Sequence, residues 1–145
     1  MLPQDVWSQE LPYCRAVFDP FSKKESKYRW TKDISLPDWK AYFNIAEDFD
    51  WGTYFTGLPE GRQTHYTIGD QTFKLETLRR HFKLRSTYFT ASVVGDAVHL
   101  EGFGFGHGVG MAQQGAMRMA VGGFQWKEIL DFYFQKLSFE TVQNF

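Results

Sequence analysis

Apolar positions recur along this chain with two different periods, and the places where the period changes mark its elements. In LPDWKAYFN, Trp39, Tyr42 and Phe43 fall at i, i+3 and i+4, Pro37 sits in the first turn and Ser35 precedes as an N-cap, which predicts a short helix. Upstream, residues 11–35 carry Pro12, Pro20 and scattered Lys and Ser around Tyr13, Phe18, Phe21, Tyr28 and Trp30, a pattern of loops and short strands anchored by aromatic rings. Residues 48–62 are rich in turn formers. HYTIG reads as a strand and LETLRRHF as a short helix burying Leu75, Leu78 and Phe82. The clearest hairpin joins STYFTASVV to AVHLEGF through Gly95-Asp96, a two-residue connection suited to a type II′ turn. In its second strand Val98 and Leu100 face one way, while His99, Glu101 and Phe103 face the other.

The last third predicts two helices. MAQQGAMRMA gathers Met111, Ala112, Gly115, Ala116 and Met119 on one side, a small-residue face that admits a close neighbour, and Gly122-Gly123 ends it. QWKEILDFYFQKL repeats apolar residues at Trp126, Ile129, Leu130, Tyr133, Phe134 and Leu137, an amphipathic helix. Strands and helices are segregated rather than alternating, so the fold class is α+β: antiparallel hairpins, a glycine-rich strand-to-helix passage and two C-terminal helices. With no repeat, low-complexity tract or linker-like run, residues 1–145 read as a single domain.

Composition narrows the function classes. The chain has 145 residues, enough to bury a core. Its aromatic content of 19% excludes a disordered tail. Sixteen Lys and Arg against 17 Asp and Glu give a formal charge of −1, so no global field draws the protein to nucleic acid. No apolar run approaches the roughly 20 residues of a spanning helix, and MLPQDVWSQE lacks the basic and then apolar regions of a signal peptide. The N-terminal stretch leads so abruptly into aromatic-rich sequence that an upstream part is expected in the native protein. Cys14 is the lone cysteine, and His65, His81, His99 and His107 show no i, i+4 pairing, so no metal site and no cofactor is expected. His81 reads as a helix-surface residue and His99 as a strand-face residue.

The chemistry concentrates in GFGFGHGVGMAQQGAMRMA, where Gly102, Gly104, Gly106, Gly108 and Gly110 alternate with Phe103, Phe105, His107 and Val109 between a strand and a helix. Alternate glycines permit positive φ and let a ligand or another backbone approach the main chain. The spacing meets neither the dinucleotide fingerprint nor the P-loop pattern, which argues against nucleotide binding. A histidine between two glycines, followed by the amides Gln113 and Gln114, suits a neutral polar ligand such as a sugar. The competing reading is purely structural, a turn that lets the following helix pack tightly while backbone groups satisfy His107.

The run from His107 to Ala116 resembles His-Gly-Val-Gly-Met-Ser-Gln-x-Gly-Ala, the signature of the stage II sporulation protein D family, with Ala112 where the family commonly has serine. The resemblance extends to Leu84-Arg85-Ser86-Thr87, Leu78-Arg79, Gly61-Arg62, Glu128-Ile129-Leu130, Phe132-Tyr133-Phe134, Trp7, Leu11-Pro12-Tyr13, Val17, Tyr28 and Trp30, covering nearly the whole chain. It implies the C-terminal part of a peptidoglycan lytic transglycosylase in the cell envelope. Such an enzyme acts on glycan strands stripped of their stem peptides. One glutamic acid protonates the glycosidic oxygen and then deprotonates the muramic C6 hydroxyl to close a 1,6-anhydro ring. The family's catalytic glutamate lies in an N-terminal Glu-x-Pro motif ahead of a helix that this chain does not contain. Glu10-Leu11-Pro12 mimics the motif but aligns with a later segment, and Glu101 matches no signature position, so the catalytic residue is left unassigned. The implied glycan contacts are His107 and Gln113 on sugar hydroxyl or acetamido groups and the backbone at Gly106 and Gly108, with Arg85 and Ser86 alongside. Tyr28 or Trp30 either stacks on a sugar face or belongs to the core. The loss of a hydroxyl at Ala112 is expected to weaken a ligand contact. A second implied reading is a non-catalytic glycan-binding module that partners a wall amidase.

Overall fold

A computed structural model describes residues 10–22, 28–46 and 48–140, so Trp7 lies outside the described residues. The chain divides into two compact units, one spanning Glu25–Gly108 and the other combining Leu2–Lys24 with Val109–Phe145. Among the described residues no helix is long and apolar enough to cross a membrane.

The first unit is built on an antiparallel four-stranded sheet. Its strands are β1 (Arg29–Ser35), β2 (Phe55–Thr56), β5 (Phe89–Val94) and β6 (Ala97–Phe103), in the order β1-β6-β5-β2. The intervening β3 (His65–Ile68) and β4 (Gln71–Lys74) form a separate hairpin. The β5-β6 hairpin turns where the sequence places it, pairing Val94 with Ala97 around Gly95 at φ 63°. Asp96 is not in the positive-φ region, which is the combination a type II′ turn requires. Strand β5 starts at Phe89, later than the extended run suggests, because Ser86 turns aside to form an isolated parallel bridge with Gly106. Val98 and Leu100 are fully buried, while His99, Glu101 and Phe103 occupy the other, half-exposed face.

Helix α1 (Leu36–Phe43) follows β1 directly, capped by the Ser35 hydroxyl accepting from the Asp38 N–H at 3.2 Å. Its Trp39 and Phe43 are completely buried in the same core as Leu75 and Leu78 of α2 (Leu75–His81) and Phe82 just beyond it. Trp39 stacks on Phe82 with ring centroids 5.2 Å apart. His81 lies on the surface as expected, with its ring 4.5 Å from that of Tyr42.

Two strands escape the sequence pattern for identifiable reasons. In β1, Trp30 and Ile34 are buried and Lys32 between them is half-buried, its ammonium donating to the Phe82 carbonyl at 2.6 Å, so the apolar alternation is broken by a satisfied charge. In β4 only Phe73 is apolar, and the strand exists by pairing with β3.

The second unit contains α3 (Gln113–Val121) and α4 (Trp126–Tyr133) with the segment around Cys14. Helix α3 starts two residues after Met111, leaving Ala112 at the N-cap without a side-chain bond to the exposed helix N–H groups. Gly123, at φ 90°, closes the helix in a Schellman arrangement: its N–H donates to Ala120 O at 3.0 Å and the Phe124 N–H to Met119 O at 3.1 Å. The expected small-residue face holds at Gly115 and Met119, which are buried, while Met111 precedes the helix and is exposed. A Cβ on Gly115 would collide with the Tyr133 hydroxyl and the Asp19 carboxylate, and Tyr133 donates to Asp19 at 2.8 Å. Burial and this bond raise the Tyr133 pKa, so the phenol stays the donor.

Helix α4 is shorter than its apolar stripe. Phe134 turns extended to bridge Cys14, and the Arg15 guanidinium takes up the carbonyls of Asp131 and Phe132 at 2.7 and 2.9 Å, which ends the helix and leaves Leu137 beyond it. Trp126 remains 56% exposed.

These packings make two opposite predictions for α3. Ala112→Ser supplies the missing cap and should raise stability by about 1 kcal/mol in denaturant titration. Gly115→Ala should lower it by about 1–3 kcal/mol through overpacking against Tyr133 and Asp19.

Candidate functional site

The glycine-rich passage continues β6 and leaves the sheet because its backbone changes hand at every second residue. Gly104, Gly106 and Gly108 adopt φ of 72°, 62° and 79°, a region costly for residues with a Cβ. Gly102 serves differently: it lies within the strand, and its missing side chain leaves the space occupied by the Trp30 indole.

The loop is tied down on both flanks. The Gly104 N–H donates to Tyr28 O at 2.6 Å and the Gly106 N–H to Arg85 O at 2.7 Å. Ser86 is wholly buried beneath, accepting from Trp30 Nε1 at 3.2 Å and donating to Phe103 O at 2.7 Å. A contact between Ser86 and a ligand is therefore incompatible with this fold, and Ser86 is the strut joining β1, β6 and the loop. Trp30, 5% exposed, is a core residue rather than a sugar platform.

Arg85 is exposed, with its guanidinium 5.8 Å from the centre of the half-exposed Phe105 ring. Gly106 has open space on the side where a Cβ would stand, which permits close approach to its backbone. Gly108 does not: that position is filled by the Arg62 side chain, so its glycine is required by internal packing. Arg62 also donates from Nη1 to Gly106 O at 3.3 Å and stands 5.7 Å over the Tyr88 ring.

His107 is partly buried in the same unit. Loss of hydration lowers its pKa, the Glu76 carboxylate partly restores it, and Arg79 and Arg62 oppose protonation. The ring is thus biased toward its neutral form, which both donates and accepts hydrogen bonds. Glu76 on α2 is held by Arg79 in a two-pronged pair, Nε to Oε2 at 3.0 Å and Nη2 to Oε1 at 2.9 Å. That pairing lowers the Glu76 pKa and makes it a poor proton donor. Glu101 is exposed and pairs with Arg29 at 3.3 Å, and Glu10 is exposed in the second unit.

The structure therefore gathers Arg85, Gly106, Gly108 and His107 in the first unit, with Ser86 beneath them. Gln113 is the exposed first residue of α3 in the second unit. Arg62, Glu76 and Tyr88 are additions that spacing does not reveal. Gly61-Arg62 lies among the outlying positions of the family resemblance, the one sequence signal for Arg62. Among the described residues, no three His, Cys, Asp or Glu are grouped to hold a metal ion.

No family model matches the chain. It is similar to Stage II sporulation protein D of Bacillus subtilis (strain 168), 32% identical over 141 residues, which covers 96% of this chain and 41% of that protein. The Bacillus amyloliquefaciens protein of the same name is 30% identical with the same coverage. The Amidase enhancer of Bacillus subtilis (strain 168) is 37% identical over 68 residues, 47% of this chain and 10% of that protein. The chain thus spans about two fifths of the length of the first two relatives.

The charges around His107 set its pH behaviour. Its folded pKa lies below the roughly 6.5 of a free imidazole. The stability gained by keeping the ring neutral is therefore complete above about pH 6.5 and declines as pH falls toward the folded value. In an NMR titration the His107 ring should show a depressed midpoint, and Glu76→Gln should lower it further by removing the favourable carboxylate. An upward shift in that variant would contradict the assignment.

Proposed function

We propose that this chain, a homologue of the stage II sporulation protein D proteins over nearly its full length, is the glycan-reading part of a peptidoglycan-processing protein at the cell envelope. The cleavage it serves is lytic transglycosylation of strands freed of stem peptides. The observation that carries this reading is the glycine loop. It is a backbone held open at Gly106 beside a neutral-biased imidazole and exposed Arg85, on a chain whose relationship to those proteins covers 96% of its residues.

Each part has a chemical task. Gly106 lets a sugar ring approach the main chain, and the neutral-biased His107 ring stands next to it in the loop as a contact for hydroxyl or acetamido groups. Gly108 keeps the loop closed over Arg62, and Arg85 flanks the bridge at Ser86. Gln113 presents an amide at the start of α3 and is a further glycan contact in this reading.

Bond cleavage needs a carboxylic acid that keeps its proton near neutral pH. Glu76 has the reverse bias, and Glu101 is an exposed, paired carboxylate. As the family resemblance implies, this reading assigns the cleaving acid to the glutamate of a Glu-x-Pro motif rather than to Glu76 or Glu101. The same observation favours a second reading, a non-catalytic module that binds wall glycan and assists an amidase, in keeping with the 68-residue similarity to the Amidase enhancer.

Mass spectrometry of peptide-free strands incubated with the chain should reveal no 1,6-anhydromuramyl ends, while co-sedimentation shows the strands bound. His107→Ala and Gln113→Ala should each weaken binding about 3–10-fold without lowering the melting temperature, as expected for loss of one or two hydrogen bonds. Anhydro ends would place the acid within the chain, and absence of binding would remove the glycan reading. A rise in wall-amidase rate on adding the chain would select the second reading.

A further inference from the structure

Arg62 holds the largest unassigned capacity for recognition at the glycine loop. A guanidinium carries five N–H donors. Here one of them makes a long bond of 3.3 Å to Gly106 O, and the group also stands over the Tyr88 ring. Its remaining nitrogens are not sealed away unmet, because the buried polar side-chain atoms without a partner among the described residues are those of Trp39 and Thr87.

Among the described residues the cation also has no carboxylate partner. The ion pairs among the described residues join Arg29 to Glu101, Arg79 and Arg80 to Glu76, and His99 to Asp33. Arg62 is in none of them. A partly buried cation without a counter-ion is unfavourable, and it becomes favourable when a ligand brings the anion. The bare α-carbon at Gly108 makes room for this side chain, so the fold keeps Arg62 in place at a backbone position that only glycine adopts readily. Arg85, whose carbonyl accepts from the Gly106 N–H, brings a second guanidinium to the loop.

We propose that Arg62 reads a carboxylate on the bound glycan, namely the free lactyl carboxylate of a peptide-free muramic acid residue. This rests on the glycan-reading assignment above. The guanidinium fork matches a carboxylate in two-pronged geometry, which a lysine could not reproduce. A lactyl carboxylate is carried by the sugar ring itself, and Arg62 is a side chain that holds the loop backbone. The carboxylates of a stem peptide lie residues further out. Conversion of the lactyl carboxylate to an amide, as in an intact stem, removes the charge that Arg62 lacks, so the site discriminates stripped from unstripped strands.

The test is calorimetric titration of the 145-residue chain with four probes. These are a peptide-free N-acetylglucosamine–N-acetylmuramic acid tetrasaccharide, the same with lactyl groups amidated, the same bearing stem peptides, and chitotetraose. The wild type should bind the free-acid form about tenfold or more tightly than the amidated or peptide-bearing forms, as for a charge-assisted pair. Arg62→Gln should abolish that preference, so that the free-acid and amidated forms bind alike, and Arg62→Lys should retain only part of it.

Equal wild-type affinity for the acid and the amide would overturn the Arg62 role while leaving the glycan reading intact. An equal fall for all probes in Arg62→Gln, with the melting temperature kept, would make Arg62 a scaffold only. Tight Arg62-dependent binding of the peptide-bearing form would overturn the lactyl source. If Arg62→Gln fails to fold, the Lys variant carries the test, and full retention of the preference overturns the proposal. Failure of the wild type to bind any of the four would bring down the glycan reading itself.

Discussion

The indole of Trp30 lies across the bare α-carbon of Gly102, and from that contact follows most of the first unit's geometry. Because Gly102 has no side chain, β1 can press its largest residue against β6, and the indole N–H then reaches the Ser86 hydroxyl. Ser86 in turn bonds the Phe103 carbonyl, the last of the strand. A buried hydroxyl satisfied on both sides joins the sheet to the segment leading out of α2, and the Gly106 bridge is set by the residue beside it. The loop is thus a braced backbone, with Gly104, Gly106 and Gly108 set in their positive-φ conformations before any ligand arrives. Preorganisation of this kind reduces the ordering cost of binding.

The sequence signature from His107 to Ala116 reads as one motif but does two physical jobs. Its first residues complete the loop: His107 feels the charges of α2, and Gly108 gives its side-chain space to Arg62. Its later residues build a helix: Ala112 is the N-cap position and Gly115 admits Tyr133 and Asp19. A serine at position 112, common in the family, would stand at the N-cap of α3, where its hydroxyl could accept from the first helix N–H groups. A motif's compactness along the chain says little about whether its members share one task.

What is legible in the sequence follows from how local the determining interactions are. The Ser35 cap, the Gly95 turn, the apolar faces of α1 and α2 and the Gly122-Gly123 stop are set by residues within a few positions of each other, and each is readable from the chain alone. The end of α4 is not, because it depends on Cys14 and Arg15, more than a hundred residues away. The same holds for Ser86 and Arg62. A serine in an extended run looks available to a ligand until the structure shows it sealed beneath Trp30. Arg62 lies in a turn-rich stretch far upstream of the glycines it supports, and nothing in its spacing hints that its side chain fills the space at Gly108. Long-range contacts of this kind come from the fold and leave no periodic trace along the chain.

If glycan is read at the glycine loop of the first unit, amide shift mapping of the isotopically labelled chain with a peptide-free wall tetrasaccharide tests it most directly. The largest shifts are expected at Gly104, Phe105, Gly106, His107 and Gly108, with the buried Trp30 indole N–H little changed. Shifts centred instead on the exposed aromatic pair Trp126 and Phe139, whose rings lie 5.0 Å apart, would contradict it.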